Sequence, residues 1–216
     1  LKYLFAYSIP LSTFCSLYFH GMWSYSSVFY AFVIIPLLEW RLKQPNTIYS
    51  DQEIKGRLKN KLFDLMLYFN VPIVFGLLSY GLLTLNQDVF ATYERVGMLS
   101  SLGILLATNA INVAHELGHR LSRFERTLSK LLYMPCLYMH FFLEHNYGHH
   151  KNLATSDDPA TARYNQPLYS FWVSSVINQY RNAWKIQFRL LSSKQKSFFS
   201  YENDMLFYLL FQGLYL

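Results

Sequence analysis

The sequence predicts an all-α fold, a polytopic membrane helix bundle with a histidine-rich metal site at its cytoplasmic face. Three observations carry that expectation. Hydrophobic residues make up 52% of the 216 residues and charged residues only 15%, and the charge is gathered into a few loops between apolar runs of membrane length. Aromatic residues reach 19%, more than a soluble core needs. Six of the seven histidines lie between residues 115 and 150, five of them in two clusters, directly after those runs. Ionisable side chains near a bilayer are expensive and mark function, and imidazole is a good ligand for iron, zinc, copper and nickel.

A spanning helix needs about 20 mostly apolar residues. Four segments qualify, at about 3–19, 23–40, 62–84 and 96–113. Pro10, Pro36 and Pro72 interrupt three of them, which bilayer helices tolerate because neighbouring groups satisfy the freed carbonyls. A fifth apolar stretch, 128–143, is shorter and separates the two histidine clusters; it is expected as a helix that enters the membrane part-way or packs beneath it. The start of a further span is expected at about 205–216. No repeat, low-complexity tract or linker divides the chain, so residues 1–216 are expected to form a single membrane domain. The first apolar segment lacks the basic n-region and small-residue cleavage site of a signal peptide. The chain opens at Leu1 and stops inside an apolar run, as expected of a segment cut from a longer protein.

Charge predicts orientation. Residues 41–61 carry Arg41, Lys43, Lys55, Arg57, Lys59 and Lys61 against Asp51 and Glu53, whereas 20–22 carries no Lys or Arg and 85–95 only Arg95. Eleven more Lys and Arg lie between Arg120 and Lys196. Positive loops stay cytoplasmic, so both histidine clusters are expected there. The net charge of +6 is then a topology signal and does not point to nucleic acid. Cys15 and Cys136 lack CxxC spacing and are expected as buried free thiols.

The first cluster reads His115-Glu116-Leu117-Gly118-His119 and the second Glu144-His145-Asn146-Tyr147-Gly148-His149-His150. On a helix, His115 and His119 share a face one turn apart, and His145 and His149 repeat that spacing. His150 points elsewhere, rotated by about 100° from His149. All five are expected as metal ligands, serving two ions or one ion and its neighbour. Glu116, Glu144 and Asp158 are expected to support them, because ligand histidines donate their other N–H to a carboxylate or carbonyl. Asp157 also follows closely. His140 could hydrogen-bond Glu144, and His20, in the short link, is not expected as a ligand.

His115–His119 also matches H-E-x-x-H, in which two histidines hold zinc and the glutamate is the general base. A membrane zinc protease would leave His145, His149 and His150 without a role. A membrane desaturase also uses histidine clusters, but with H-x-x-H-H in the second, whereas three residues separate His145 from His149. A metal transporter would place ligands within its spans, which here hold no histidine.

Residues Asn112 to Arg120, Glu144 to His150, and Asp157-Asp158-Pro159-Ala160-Thr161-Ala162-Arg163, in this order after the spans, resemble the integral-membrane alkane 1-monooxygenases and the related xylene-methyl monooxygenases. The resemblance implies an O2-dependent oxidoreductase of the bacterial inner membrane. It would have six spans and two non-haem iron ions, and would hydroxylate the terminal carbon of a medium-chain alkane or similar apolar substrate. Electrons would come from rubredoxin, reduced by an NAD(P)H-dependent rubredoxin reductase. Carried over by motif, the iron ligands are His115, His119, His145, His149 and His150. A fatty-acyl desaturase or alkylarene methyl hydroxylase with the same chemistry is the alternative. The family's further histidine cluster and His-Tyr-Gly motif have no counterpart, since no histidine follows His150. Glu39 in Pro36-Leu37-Leu38-Glu39 stands where the family commonly has aspartate, which bears on substrate range.

Overall fold

The computed structural model describes residues 2–42, 50 and 60–216, and every regular element among them is helical. Lys43, Asp51, Glu53, Lys55, Arg57 and Lys59, on which much of the charge argument rests, lie outside the described residues. The chain packs as two compact units, Leu1–Val113 and Ala114–Leu216.

In the first unit, α1 (Ser8–Phe19) is entered through a 3-10 turn, Lys2–Tyr7. It is followed by α2 (Gly21–Arg41), α3 (Lys61–Leu85) and α4 (Thr92–Gly118), whose last turn belongs to the second unit. By length and composition α2, α3 and α4 can each cross a membrane, while the apolar run Leu4–Phe19 is shorter. These helices mark the chain as an integral membrane protein.

Helix ends follow local chemistry. Asn60 caps α3 by accepting from the Leu62 N–H at 3.0 Å. Glu94, in the first turn of α4, accepts from the Ala91 N–H at 2.9 Å and from the Gly21 N–H at 2.6 Å, pinning the tight α1–α2 turn, where His20 and Gly21 both have positive φ. Pro36 has no N–H to give one turn back, and a π segment, Tyr30–Ile34, widens α2 just before it.

Small residues let these helices approach closely, as membrane interfaces require. Ser16 and Ser101 both donate to the Ser24 carbonyl, at 2.6 and 2.9 Å. A Cβ on Gly97 would fall 2.7 Å from Ser24 Cβ. The buried Asn109 amide donates to Asn70 Oδ1 at 2.8 Å, within a second π segment, Leu106–Ile111, that leads into the first histidine cluster.

The second unit holds α5 (Arg123–Tyr133), α6 (residues 141–152), α7 (Leu168–Ser193) and α8 (Asp204–Tyr215). Residues 128–143 do not form one helix. Pro135 confines Met134–Cys136 to a single 3-10 turn, and Leu137 takes a left-handed conformation at φ 53° that redirects the chain. Leu132, Tyr133, Phe142 and Leu143 from either side of this break are buried inside the unit. Ser129 on α5 donates to the Ala114 carbonyl at 2.6 Å, fixing α5 against the turn that carries His115.

Candidate metal centre

His115 sits in the last turn of α4 and His119 just beyond it, one helical turn apart as their spacing requires. Their Nε2 atoms are 3.0 Å apart. Residues Phe141–Glu144 of α6 are α-helical, and His145–His149 form a π turn. In that turn the His150 N–H donates to the His145 carbonyl five residues back. The wider turn brings residues five apart onto one side, so the partner of His145 is His150, their Nε2 atoms 3.1 Å apart. His149 remains stacked on His145 as the four-residue spacing expects, ring centroids 5.2 Å apart at 19°, while this inserted residue also brings in His150, which an ordinary helical turn would point elsewhere. π turns of this kind recur at functional sites.

His145 Nε2 is also 3.2 Å from His119 Nε2, and the ligand atoms of His115, His119 and His145 all lie within 4.8 Å of one another. Hydrogen bonding does not account for this run of contacts. A neutral imidazole Nε2 carries either one proton or one lone pair, so His119 and His145, each with two Nε2 neighbours, can satisfy only one of them. The 3.2 Å contact between them is then left without a hydrogen bond of its own. One cation receiving the lone pairs removes the conflict. Nitrogens bound at about 2.0–2.1 Å stand about 3.0 Å apart at right angles and about 3.4 Å apart at tetrahedral angles, which brackets all three separations.

Burial, and then repulsion from His115, His150, His119 and His149, pushes the His145 pKa down to about 3. Burial, and then His119 and His149, also lowers that of His150. Neutral imidazoles with free lone pairs are what a metal needs. Phe141 stacks on His145, ring centroids 4.9 Å apart at 20°, and fixes the ring's plane.

His149 is oriented separately. Its Nδ1 lies 3.0 Å from Asp158 Oδ2, which directs Nε2 away from the carboxylate as in metal-binding histidines. Burial opposes the charge of Asp158. Hydrogen bonds from the Thr161 hydroxyl, the Ala160 N–H and His149 nevertheless hold its pKa below the ordinary carboxylate value.

Glu144 is fully buried. One oxygen accepts from Asn182 Nδ2 of α7 at 3.1 Å, and Oε2 has no partner among the described residues. Burial, with Asp158 nearby, raises its pKa despite the bond from Asn182 and the nearby His149. Glu116, by contrast, is exposed and accepts from Arg120 at 3.0 Å. Asp157 is exposed. His140 is buried between Tyr138 and Tyr180, its Nε2 without a partner among the described residues, and burial lowers its pKa to about 4. His20 packs on Phe90 in the first unit, ring centroids 4.6 Å apart.

Three contributors were not read from the sequence. Asn182 and Thr161 carry no local signal. Gly148 does, because a glycine within a helical histidine run marks a close approach.

Comparison with known proteins follows the same residues. The fatty acid desaturase family model matches residues 95–215. The chain is 30% identical over 173 residues to an alkane 1-monooxygenase of Pseudomonas putida, covering 80% of this chain and 43% of that protein. It is 30% identical over 186 residues to alkane 1-monooxygenase 1 of Alcanivorax borkumensis, covering 83% and 46%. Identity is 26% over 206 residues to the xylene/toluene monooxygenase hydroxylase component XylM of Pseudomonas putida, covering 91% and 53%. The chain thus spans less than half the length of the first two of these relatives.

Proposed function

Because the chain belongs to the fatty acid desaturase family and its second unit gathers a histidine cluster that could hold metal, we propose that it is part of a non-haem di-iron membrane monooxygenase. The reaction is O2-dependent hydroxylation of the terminal carbon of a medium-chain alkane, with electrons from rubredoxin and its NAD(P)H-dependent reductase. The observation that carries this reading is the convergence of imidazole Nε2 atoms at 3.0–3.2 Å where an apolar helix ends. Similarity to alkane 1-monooxygenases at 30% identity supports the substrate class.

In this proposal His115, His119, His145, His149 and His150 are ligands, and Asp158 orients His149. Glu144 supports the cluster from its buried pair with Asn182, and Glu116 does so from the surface through Arg120. An alkane C–H bond offers no polar handle to an acid, base or nucleophile, so two iron ions held there would supply the redox activation of O2. The protein's share is to keep the imidazoles neutral, fix their planes and exclude water. Residues 1–216 act as one membrane domain, with spans at about 3–19, 23–40, 62–84 and 96–113 and another opening near 205. The metal site faces the cytoplasm of a bacterial inner membrane.

The test is to express the protein from its gene with rubredoxin, its reductase, NADH and octane under 18O2. The expected product is 1-octanol carrying one labelled oxygen; an alkene, or an alcohol without label, refutes the reading. The similarity to XylM favours alkylarene methyl hydroxylation as the second reading, which p-xylene in place of octane would reveal. Orientation is tested with a cysteine at Asp88, in the link between α3 and α4. An impermeant maleimide should label it only from the outer side, and labelling only from the cytoplasm would reverse the topology.

A further inference from the structure

A second site lies in the Ala114–Leu216 unit, distinct from the histidine cluster. The loop after α6 and one face of α7 border an open cavity of about 760 Å³, within the range of small-molecule sites. Its walls carry three cations, Arg163 from the loop and Arg181 and Lys185 one turn apart on α7. Their side chains are exposed, and none has a hydrogen-bond or ion-pair partner among the described residues. Asn178, on the same face one turn before Arg181, adds an amide donor. Two carboxylates also line the cavity. Asp157 is exposed, while both oxygens of Asp158 are taken up by Ala160, Thr161 and His149. We propose that this cavity binds a small phosphate-bearing anion.

Three cations left without carboxylate partners repel one another, and an anion removes that repulsion. Guanidinium groups match a phosphate with paired, charge-assisted hydrogen bonds, and the lysine adds a point charge. A carboxylate ligand would engage fewer of these donors.

The rest of α7 indicates where the anion comes from. Leu168, Tyr169, Trp172, Val173, Val176 and Ile177 form an exposed apolar stripe along its first half. At about 100° per residue, that stripe is centred roughly 180° around the helix from the cavity face. If the stripe meets lipid, as amphipathic interfacial helices do, the cavity opens away from the bilayer. A soluble phosphate ester reaches it from water, whereas a phospholipid headgroup lies on the wrong side of the helix.

The floor of the cavity joins it to the histidine cluster. Asp158 and Asn182 both line it, and behind them lie His149 and Glu144. An occupant therefore presses on the residues that orient the cluster without touching a histidine.

The test uses the whole chain in phosphatidylcholine nanodiscs with ribose 5-phosphate, a soluble phosphate monoester, titrated by calorimetry at low ionic strength. One equivalent should bind, and binding should weaken as salt screens the cations. R181Q/K185Q should lose at least tenfold in affinity, and R163Q, on a different element, should lose affinity independently. Both variants alter exposed side chains, and unchanged thermal melts confirm that they fold. No binding by the wild type, or equal binding by the variants, overturns the site. Binding abolished when phosphatidylglycerol replaces phosphatidylcholine assigns the cations to lipid headgroups and overturns the soluble ligand. Salt-sensitive binding of a glutamate-rich peptide with none of the ester assigns them to an acidic protein and overturns it equally.

Discussion

Replacing Gly148 with alanine tests how closely α7 must pack on the histidine-bearing π turn. The added methyl would lie 2.8 Å from Asn182 Nδ2, 2.8 Å from Glu144 Oε1 and 3.0 Å from Ile186 Cδ1, whereas favourable contacts fall at about 3.5–4.0 Å. Two of the three obstructing atoms are the donor and acceptor of one part-buried hydrogen bond, 3.1 Å long. Relief by moving either side chain breaks that bond and leaves Glu144, already lacking a partner at Oε2 among the described residues, without any. Losing a hydrogen bond to a charged group costs about 1.5–3 kcal/mol, and residual overpacking about 1–3 kcal/mol. A local destabilisation of about 3 kcal/mol is therefore expected, and about 1.4 kcal/mol corresponds to a tenfold change in equilibrium constant. The assay is iron retention against a graded chelator, with thermal unfolding of the same samples in detergent. G148A should release metal at roughly hundredfold lower chelator. N182S, which opens room for the methyl, should recover part of that loss in the double variant, a coupling that a double-mutant cycle resolves. If G148A retains metal within threefold of the wild type and melts at the same temperature, the close approach of α7 does not govern the cluster. If N182S adds its full penalty to that of G148A, the clash lies elsewhere.

H119A and H149A should each abolish metal binding while the protein still resists carbonate extraction from membranes, because neither residue contributes to the hydrophobicity of a span; iron bound at wild-type levels would remove them from the ligand set. Metal analysis of the wild type should find iron, and one tightly held zinc with no iron would favour the protease reading. D158N should lower metal affinity about 10–100-fold, the usual effect of losing an outer-shell partner, with little change in melting temperature; unchanged affinity would show that His149 is oriented by something else. Burial pushes the Cys136 thiol up to about 11, and the thiolate is the reactive form. Maleimide labelling of Cys136 at pH 8 should therefore be slow and rise about tenfold per pH unit until near 11. Labelling at the rate of an exposed thiol would contradict that burial.

Much of this architecture is written locally. Runs of about 20 apolar residues are costly to leave in water and nearly free to place in lipid, so α2, α3 and α4 could be read without their neighbours. The five histidines were legible for a similar reason, since their type and their position beside apolar segments are properties of the chain alone. His115 and His119 meet one turn apart as expected, because an ordinary helical turn carries them.

Hydropathy does not say where a helix breaks. Residues 128–143 are mostly apolar, yet Pro135 and the left-handed Leu137 divide them, and Tyr133 and Phe142 are buried against protein. The sequence by itself determined the fold class, the apolar helices and the residue types of a candidate metal centre. Only the tertiary structure decided how the second cluster is used. The π turn brings His150 to His145 beside His149. Asn182, 38 residues further on, reaches the buried Glu144, while Glu116, its counterpart in the first motif, turns outward to Arg120. Side-chain direction at those positions depends on one extra residue in a turn and on which face of α7 docks. Both are settled by packing between segments distant in the chain, and neither leaves a local signature.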